Sequence, residues 1–378
     1  MCEIFRVTCR RIVQNIGWLV LTLFCSAFSC HAAPYSLSPR GTKVEQQVAQ
    51  KNAVFWERTV LQLATNGTLI FAEPVHEEIT ARMFDCESGC NDVEAAAEWA
   101  GLYTIAGVRW NDDPPFQLQK DEAQYTSCKT GQTIRFTTQP LCWYQLFTAA
   151  KKAAVRGQVP NAASHSSLLA RSHFGDLQFF HSMASQDGEV AAETQRRVMM
   201  WMEFTWRVAN GEYGLDTKLA DVKVTGFDEF FGKSGWTVQD LFTAGNPALR
   251  RHVSEVAFGS LLHTVEDSFA QGHVQRAGTS SGNCPAASQF PAPPRVVEFH
   301  SYAHQDEKKH TQHDNRKAFD GDFSNPVNVI TVGKPLVDDL RPGKPGASWE
   351  TVKPYFECIF AVDDPQKQAS PGKEFAAD

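Results

Sequence analysis

The sequence predicts an all-α protein, a single domain of many helices with small β-hairpin or loop insertions. Three observations carry this. Apolar residues recur at helical spacing through most of the chain, strand-like runs are short and few, and six cysteines beyond the N-terminal stretch can staple the connections. The periodicity predicts helices over 44–65, 75–85, 92–106, 139–156, 165–185, 188–209, 247–272 and 296–319. Strand signals are confined to "TIRFTT" and "VNVITV". The Pro/Gly/Ser-rich piece 278–294 reads as a surface loop between two helices, and no linker divides residues 34–378 into two self-contained patterns. In "RRVMMWMEFTW" the aromatic residues Trp201 and Trp206 are expected in the core.

Residues 1–33 read as an export signal: Arg6, Arg10 and Arg11 precede an apolar run from Ile16 to Phe28, and the small residues Ala32 and Ala33 follow. The mature protein is then expected to be secreted or periplasmic, with Cys30 after "AFS" leaving a lipoprotein signal as the alternative. No later stretch is long and apolar enough to span a bilayer. Losing residues 1–33 removes three arginines and one glutamate, leaving 33 basic and 42 acidic residues, a net charge of −9. Such a chain is poorly suited to gripping a nucleic-acid backbone by counterion release.

Four cysteines fall in the signal, and Cys86, Cys90, Cys128, Cys142, Cys284 and Cys358 remain. An even number in an exported chain predicts disulfides. The spacings of "CESGC" and "CKTGQTIRFTTQPLC" suggest Cys86–Cys90 and Cys128–Cys142, which leaves Cys284 with Cys358. A zinc finger is disfavoured because no second close cysteine pair complements the first.

The histidines concentrate at helix positions. In "LLHTVEDSFAQGHV" His263 and Asp267 have the i, i+4 relation, about 40° apart around a helix and about 6 Å along it, so both can reach one ion. His273 would lie about 15 Å beyond His263 on a regular helix, too far to share that ion at a bond length of about 2 Å. A second ion follows, and Asp267 becomes the candidate bridge, since a carboxylate can hold two metals about 3.5–4 Å apart. His310 and Asp314 in "HQDEKKHTQHD" repeat the i, i+4 pairing, with His300 and His304 as the competing pair.

Three further places can complete a set: His76 in the first turn after Pro74, Asp112 and Asp113 in "RWNDDPP" before two prolines, and His173 and His181 in "RSHFGDLQFFHSMA". Each alone has an ordinary reading, a hydrogen-bonded core histidine or a solvated turn. His165, His252 and His313 keep that reading. His263, Asp267 and His273 differ, because they interrupt a stretch that otherwise reads as buried, where unpartnered polar groups cost several kcal/mol.

Together these motifs resemble the zinc-dependent phospholipase C and single-strand-specific nuclease superfamily, closest to the larger bacterial secreted phospholipases C. "HTVEDSFAQGH" is similar to that family's His-x3-Asp-x5-His signature, and "HEEIT", "WNDDP", "SHF" and a final His-x3-carboxylate follow its order over roughly residues 70–320. The resemblance implies an all-helical secreted hydrolase holding two or three zinc ions. Asp112 or Asp113, His173, His263 and a bridging Asp267 would hold one, His273, His310 and Asp314 a second, and His76 with Asp267 a third. In the family the third also takes an N-terminal tryptophan, which this chain lacks near Ala33 or Pro34. The chain also carries an extension at 34–70, whose "VEQQVAQKNAVFWERTVLQLA" leaves two expectations open, packing beside the zinc helices or covering their cleft, and a long insertion before His173.

The resemblance implies hydrolysis of a glycerophospholipid at a membrane or micelle surface, giving diacylglycerol and a phosphorylated head group, with Asp112 or Asp113 orienting or deprotonating the attacking water. A zinc nuclease or nucleotidase on the same scaffold is the second expectation. A secreted binding protein with purely structural zinc is the third. Nucleic acid is not a partner in the first reading, and oligomeric state is left open.

Overall fold

In the computed structural model residues 37, 41–46, 73–118, 125–162 and 167–377 are described, apart from 245, 247, 279, 281, 307–308, 311–318 and 321–324. They are helix-rich, with two small antiparallel sheets. The export signal, most of the 34–70 extension, Asp314, His165 and His313 lie outside the described residues. Among those described, no helix is long and apolar enough to cross a membrane.

The chain runs through α1 (Val75–Met83), α2 (Val93–Ala100), α3 (Leu102–Val108), α4 (Pro140–Val155) and α5 (Leu168–Phe174). The expected helix over 92–106 is two, because Gly101 takes φ +87°, a left-handed value that costs other residues free energy. Asp92 caps the first of them, accepting from the Glu94 and Ala95 amides. The expected helix over 165–185 also breaks. It ends at an extended Gly175, which lies so close to another segment that an added Cβ would stand 2.1 Å from the Pro160 carbonyl oxygen. A 3₁₀ turn, Gln178–His181, follows.

Next come α6 (Ala191–Ala209), α7 (Asp228–Phe231), α8 (Val238–Thr243) and α9 (Val253–Asp267). Helix α6 buries Trp201 and Trp206 as expected, and Trp201 stacks on Trp110 at 5.8 Å. Helices α3 and α9 cross at glycines: a Cβ on Gly107 would come within 2.2 Å of the Val256 carbonyl oxygen, and one on Gly259 within 2.1 Å of that of Thr104. Backbone contact this close is available only without side chains. It sets the turn that follows α3 directly against the C-terminal half of α9.

The expected helix over 296–319 begins instead as a strand. The strands are β1 (Val274–Arg276), β2 (Asn283–Cys284), β3 (Ala287–Pro291) and β4 (Val296–Phe299), with β1 paired to β4 and β2 to β3. The β-branched pair Val296 and Val297 suits a ladder partner better than a helix, and the predicted loop 278–294 contains the β2–β3 hairpin. "VNVITV" reverses the other way, into α10 (Val329–Asp338). Asn328 accepts from the Ile330 and Thr331 amides, and Thr331 caps the Asn328 amide in return, so the capping box overrides strand propensity. "TIRFTT" yields a lone bridge between Phe116 and Ile134. Helix α11 (Trp349–Ile359), started by a Ser348 capping box, has no counterpart in the periodicity reading.

Three cysteine pairs are joined as their spacing suggested: Cys86–Cys90, Cys128–Cys142 and Cys284–Cys358. The last ties the β2–β3 hairpin to α11. Such bonds persist in oxidising compartments.

Candidate metal centre

The turn Trp110–Asp113 fans its four side chains in separate directions. Trp110 donates to the Phe242 carbonyl (3.2 Å). The Asn111 amide donates to the Phe180 and Ser260 carbonyls (2.8 and 3.2 Å) and its oxygen accepts from Ser260 Oγ (2.6 Å), which pins the turn to α9 and to the 3₁₀ turn. Asp113 faces away from the histidines, accepting from the Phe136 amide at 2.9 Å and pairing with Arg135 at 3.2 Å. Asp112 alone turns toward the histidines, and this separates two neighbours that the sequence could not.

Asp267, the last residue of α9, is fully buried and sits among four imidazoles. Its Oδ2 lies 2.8 Å from both His263 Nε2 and His181 Nδ1, and its Oδ1 lies 3.4 Å from His76 Nε2 and from His273 Nδ1. His263 Nε2 and His181 Nδ1 are 3.2 Å apart, and Asp112 Oδ1 is 3.7 Å from His181 Nδ1. Two donors each bound at about 2.1 Å to a tetrahedral ion stand about 3.4 Å apart, so these separations bracket the edge of such a site. Asp112, His181 and His263 form one group able to hold a metal ion, and His76, His263 and Glu266 form another.

The fit can be tested on hydrogen bonding. Among the described residues none reaches either oxygen of Asp112, Oδ1 of Asp267, Nε2 of His173 or His181, or Nδ1 of His263, all buried. No lysine or arginine there pairs with Asp112, Asp267 or Glu266; their charged neighbours are histidines. Buried acceptors without donors are costly, and a cation relieves several at once. The donor set therefore suits a metal.

Burial pushes the His181 and His263 imidazoles down, toward the neutral form that binds metal. It pushes His173 and His310 further down, with the neighbouring His181 and His273 charges adding to each. Burial opposes the ionised Asp267, yet the His263 and His273 charges outweigh it and hold that carboxyl well below the usual range. Burial raises Asp112 to about 6.

Of the residues expected from sequence, His76, Asp112, His263, Asp267 and His273 meet here, and His310 stacks on His273 with ring centres 5.2 Å apart. His300 instead faces the Gly272 carbonyl (3.2 Å) and His304 pairs with Asp187 (2.7 Å) at the surface, so that spacing does not build a common site. His173 stands beside the group, its Nδ1 on the Leu169 carbonyl (3.1 Å) and its Nε2 4.0 Å from Asp112.

His181, named in the sequence reading but left out of its ligand set, is the histidine in contact with Asp267 and His263. The Gly175 break that shortens α5 was the signal available. The regular helix that would carry His273 about 15 Å beyond His263 does not form, and His273 Nδ1 lies 3.4 Å from Asp267 Oδ1. Helix α9 stops at Asp267, the chain turns back through 268–273, and His273 Nδ1 reaches the His181 carbonyl at 3.0 Å. Glu266 was also missed, although it interrupts the same apolar turn. Comparison with family models, curated proteins and solved structures finds no match to this chain, and the chemistry of the site stands on its own side chains.

Proposed function

We propose that the protein is an exported zinc-dependent phosphodiester hydrolase of the phospholipase C type, cleaving the glycerol-side bond of a glycerophospholipid. The observation that carries this reading is the buried ring of imidazoles around Asp267, with Asp112 beside it and, among the described residues, no lysine or arginine paired to either carboxylate. Nitrogen and carboxylate oxygen are the donors of hydrolytic zinc sites, and the six cysteines that could compete are joined in pairs. Bound zinc supplies Lewis acidity toward phosphoryl oxygens and lowers the pKa of water. Asp112, beside the imidazoles and with neither oxygen hydrogen-bonded among the described residues, is suited to orient the attacking water and accept its proton. Phe147 and Tyr302, both buried, stand edge-on to His173 and His310 at 5.2 and 5.1 Å and pack the outer side of these imidazoles.

The nuclease reading needs the same metal chemistry and is the competitor, opposed by the acidic balance of the chain. Zinc-loaded protein is expected to release phosphocholine from phosphatidylcholine vesicles and to leave single-stranded DNA intact. Nucleotide release with intact lipid would make it a nuclease, and zinc binding with neither reaction would make the metal structural.

The two histidines of "SHFGDLQFFH" should separate in metal binding. His181→Ala is expected to weaken zinc binding at least about tenfold against a competing chelator, and His173→Ala to weaken it less, its Nε2 standing 4.0 Å from Asp112 and out of contact with Asp267. Equal losses would put His173 back in the ligand set.

A further inference from the structure

His76 is buried in the first turn of α1, its ring stacked on that of His263 with centres 4.0 Å apart. Stacking fixes the plane of the ring but not which nitrogen carries the proton. That choice is made from α9. Glu266 Oε2 lies 2.6 Å from His76 Nδ1, and its Oε1 accepts from Thr80 Oγ1 at 2.5 Å. Thr80 is one turn beyond His76 on the same helix, so a single carboxylate grips two residues on one face of α1. An ionised carboxylate only accepts, so the imidazole Nδ1 must donate, and in the neutral ring that can bind a metal Nε2 carries the lone pair. That Nε2 is the atom 3.4 Å from Asp267 Oδ1 and 4.0 Å from Asp112 Oδ2.

We propose that Glu266 is the positioning residue for His76: it accepts the hydrogen bond from Nδ1 and aims Nε2 at Asp267, with Thr80 holding the carboxylate in place. This rests on the zinc reading of the site and adds to it how a third zinc position is supported. His76 there is set by a carboxylate from the neighbouring helix, one residue before the shared Asp267. Carboxylate–histidine pairs of this kind orient a ligand and raise its basicity, and their loss costs about 10–100-fold in metal affinity.

The test is zinc titration of the full-length exported protein, wild type against Glu266→Gln, Glu266→Asp and Thr80→Val, read by metal analysis and chelator competition. Glu266→Gln keeps the size of the side chain but can offer an amide to Nδ1, which permits the wrong tautomer. It is expected to weaken the most loosely held zinc about 10–100-fold while the remaining zinc binds as before. Thr80→Val, which keeps the carboxylate but loses its anchor, is expected to fall between, and Glu266→Asp to recover part of the loss. A role in folding alone would lower the melting temperature of the metal-free protein without singling out one zinc. Unchanged affinity for every zinc in Glu266→Gln overturns the proposal, and so does a Thr80→Val protein that binds every zinc as the wild type does, since Glu266 would then act without its anchor as a direct ligand. Absence of zinc from the wild type would instead overturn the metal reading beneath it.

Discussion

On the proposed zinc-hydrolase reading, Asp267→Ala is expected to abolish zinc binding and phosphodiester hydrolysis together, while the far-ultraviolet circular dichroism of the metal-free protein stays that of the wild type. The expectation follows from the number of groups that one carboxylate serves. Two histidines approach its Oδ2 at 2.8 Å and two more its Oδ1 at 3.4 Å, from α1, α9, the 3₁₀ turn and the turn after α9. Losing an outer partner of a metal ligand costs about 10–100-fold in affinity, and losing a carboxylate shared by four imidazoles should cost at least about a hundredfold. Asp267→Asn separates charge from shape. It fills the same space, but cannot provide the negative charge against which His263 and His273 hold the wild-type carboxyl ionised. Both variants should lose zinc in elemental analysis and lose phosphocholine release together. Hydrolysis persisting in Asp267→Ala would sink the shared-carboxylate account.

What the sequence could reveal of this centre depended on whether the ligands lie on one regular element. His263 and Asp267 are one turn apart within α9, so helical periodicity alone placed them side by side. His273 was legible as a residue but not as a position, because the arithmetic assumed a helix that ends six residues earlier. His181 was hidden by the opposite error: an apolar periodic run suggested one helix over 165–185, whereas Gly175 breaks it and the 3₁₀ turn swings His181 inward. Asp112 and Asp113 could not be separated by pattern, since what separates them is the fixing of Asn111 to α9 and of Asp113 to Arg135. The helical fold was legible through most of its long elements. Its strands were not, because "VNVITV" carries β-branched residues inside a capping box whose side-chain hydrogen bonds decide the local conformation.

The second large effect is expected far from the histidines, at Glu45, a residue of the extension with no counterpart in the metal motifs. Its carboxylate is buried and bridges two arginines, Arg109 Nε at 3.0 Å and Arg135 Nη1 at 2.9 Å, while Arg109 also pairs with Glu77 and Arg135 with Asp113. Its Oε2 also accepts from the Thr42 amide at 2.6 Å, and Leu37 and Val44 are buried in the same core, so this part of the extension is built into the body of the protein. Removing one member of a buried ion network leaves charges without compensation, and Glu45→Ala is expected to cost about 3 kcal/mol, read from urea unfolding with the disulfides intact. Glu77 and Asp113 remain for the arginines, which places the loss toward the lower end for such networks.

The pH dependence supplies the sign. Burial pushes the Glu45 carboxyl up, but the Arg109 and Arg135 charges and the Thr42 hydrogen bonds outweigh it and hold it below its ordinary 4.5. A depressed carboxyl contributes stability that is fully present above the unfolded value and is lost as pH falls through the folded one. The stability gap between wild type and Glu45→Gln should therefore be constant from neutral pH down to about 5 and shrink in stronger acid. A gap that widened in acid, or a Glu45→Ala protein as stable as the wild type, would mean that the arginines are held without Glu45. The expected result makes residues 41–46 part of the wall behind Asp112, because the guanidinium that grips Glu45 also donates to the Asp113 carbonyl at 2.9 Å. A truncation that begins after this segment should then be judged by stability first and hydrolysis second.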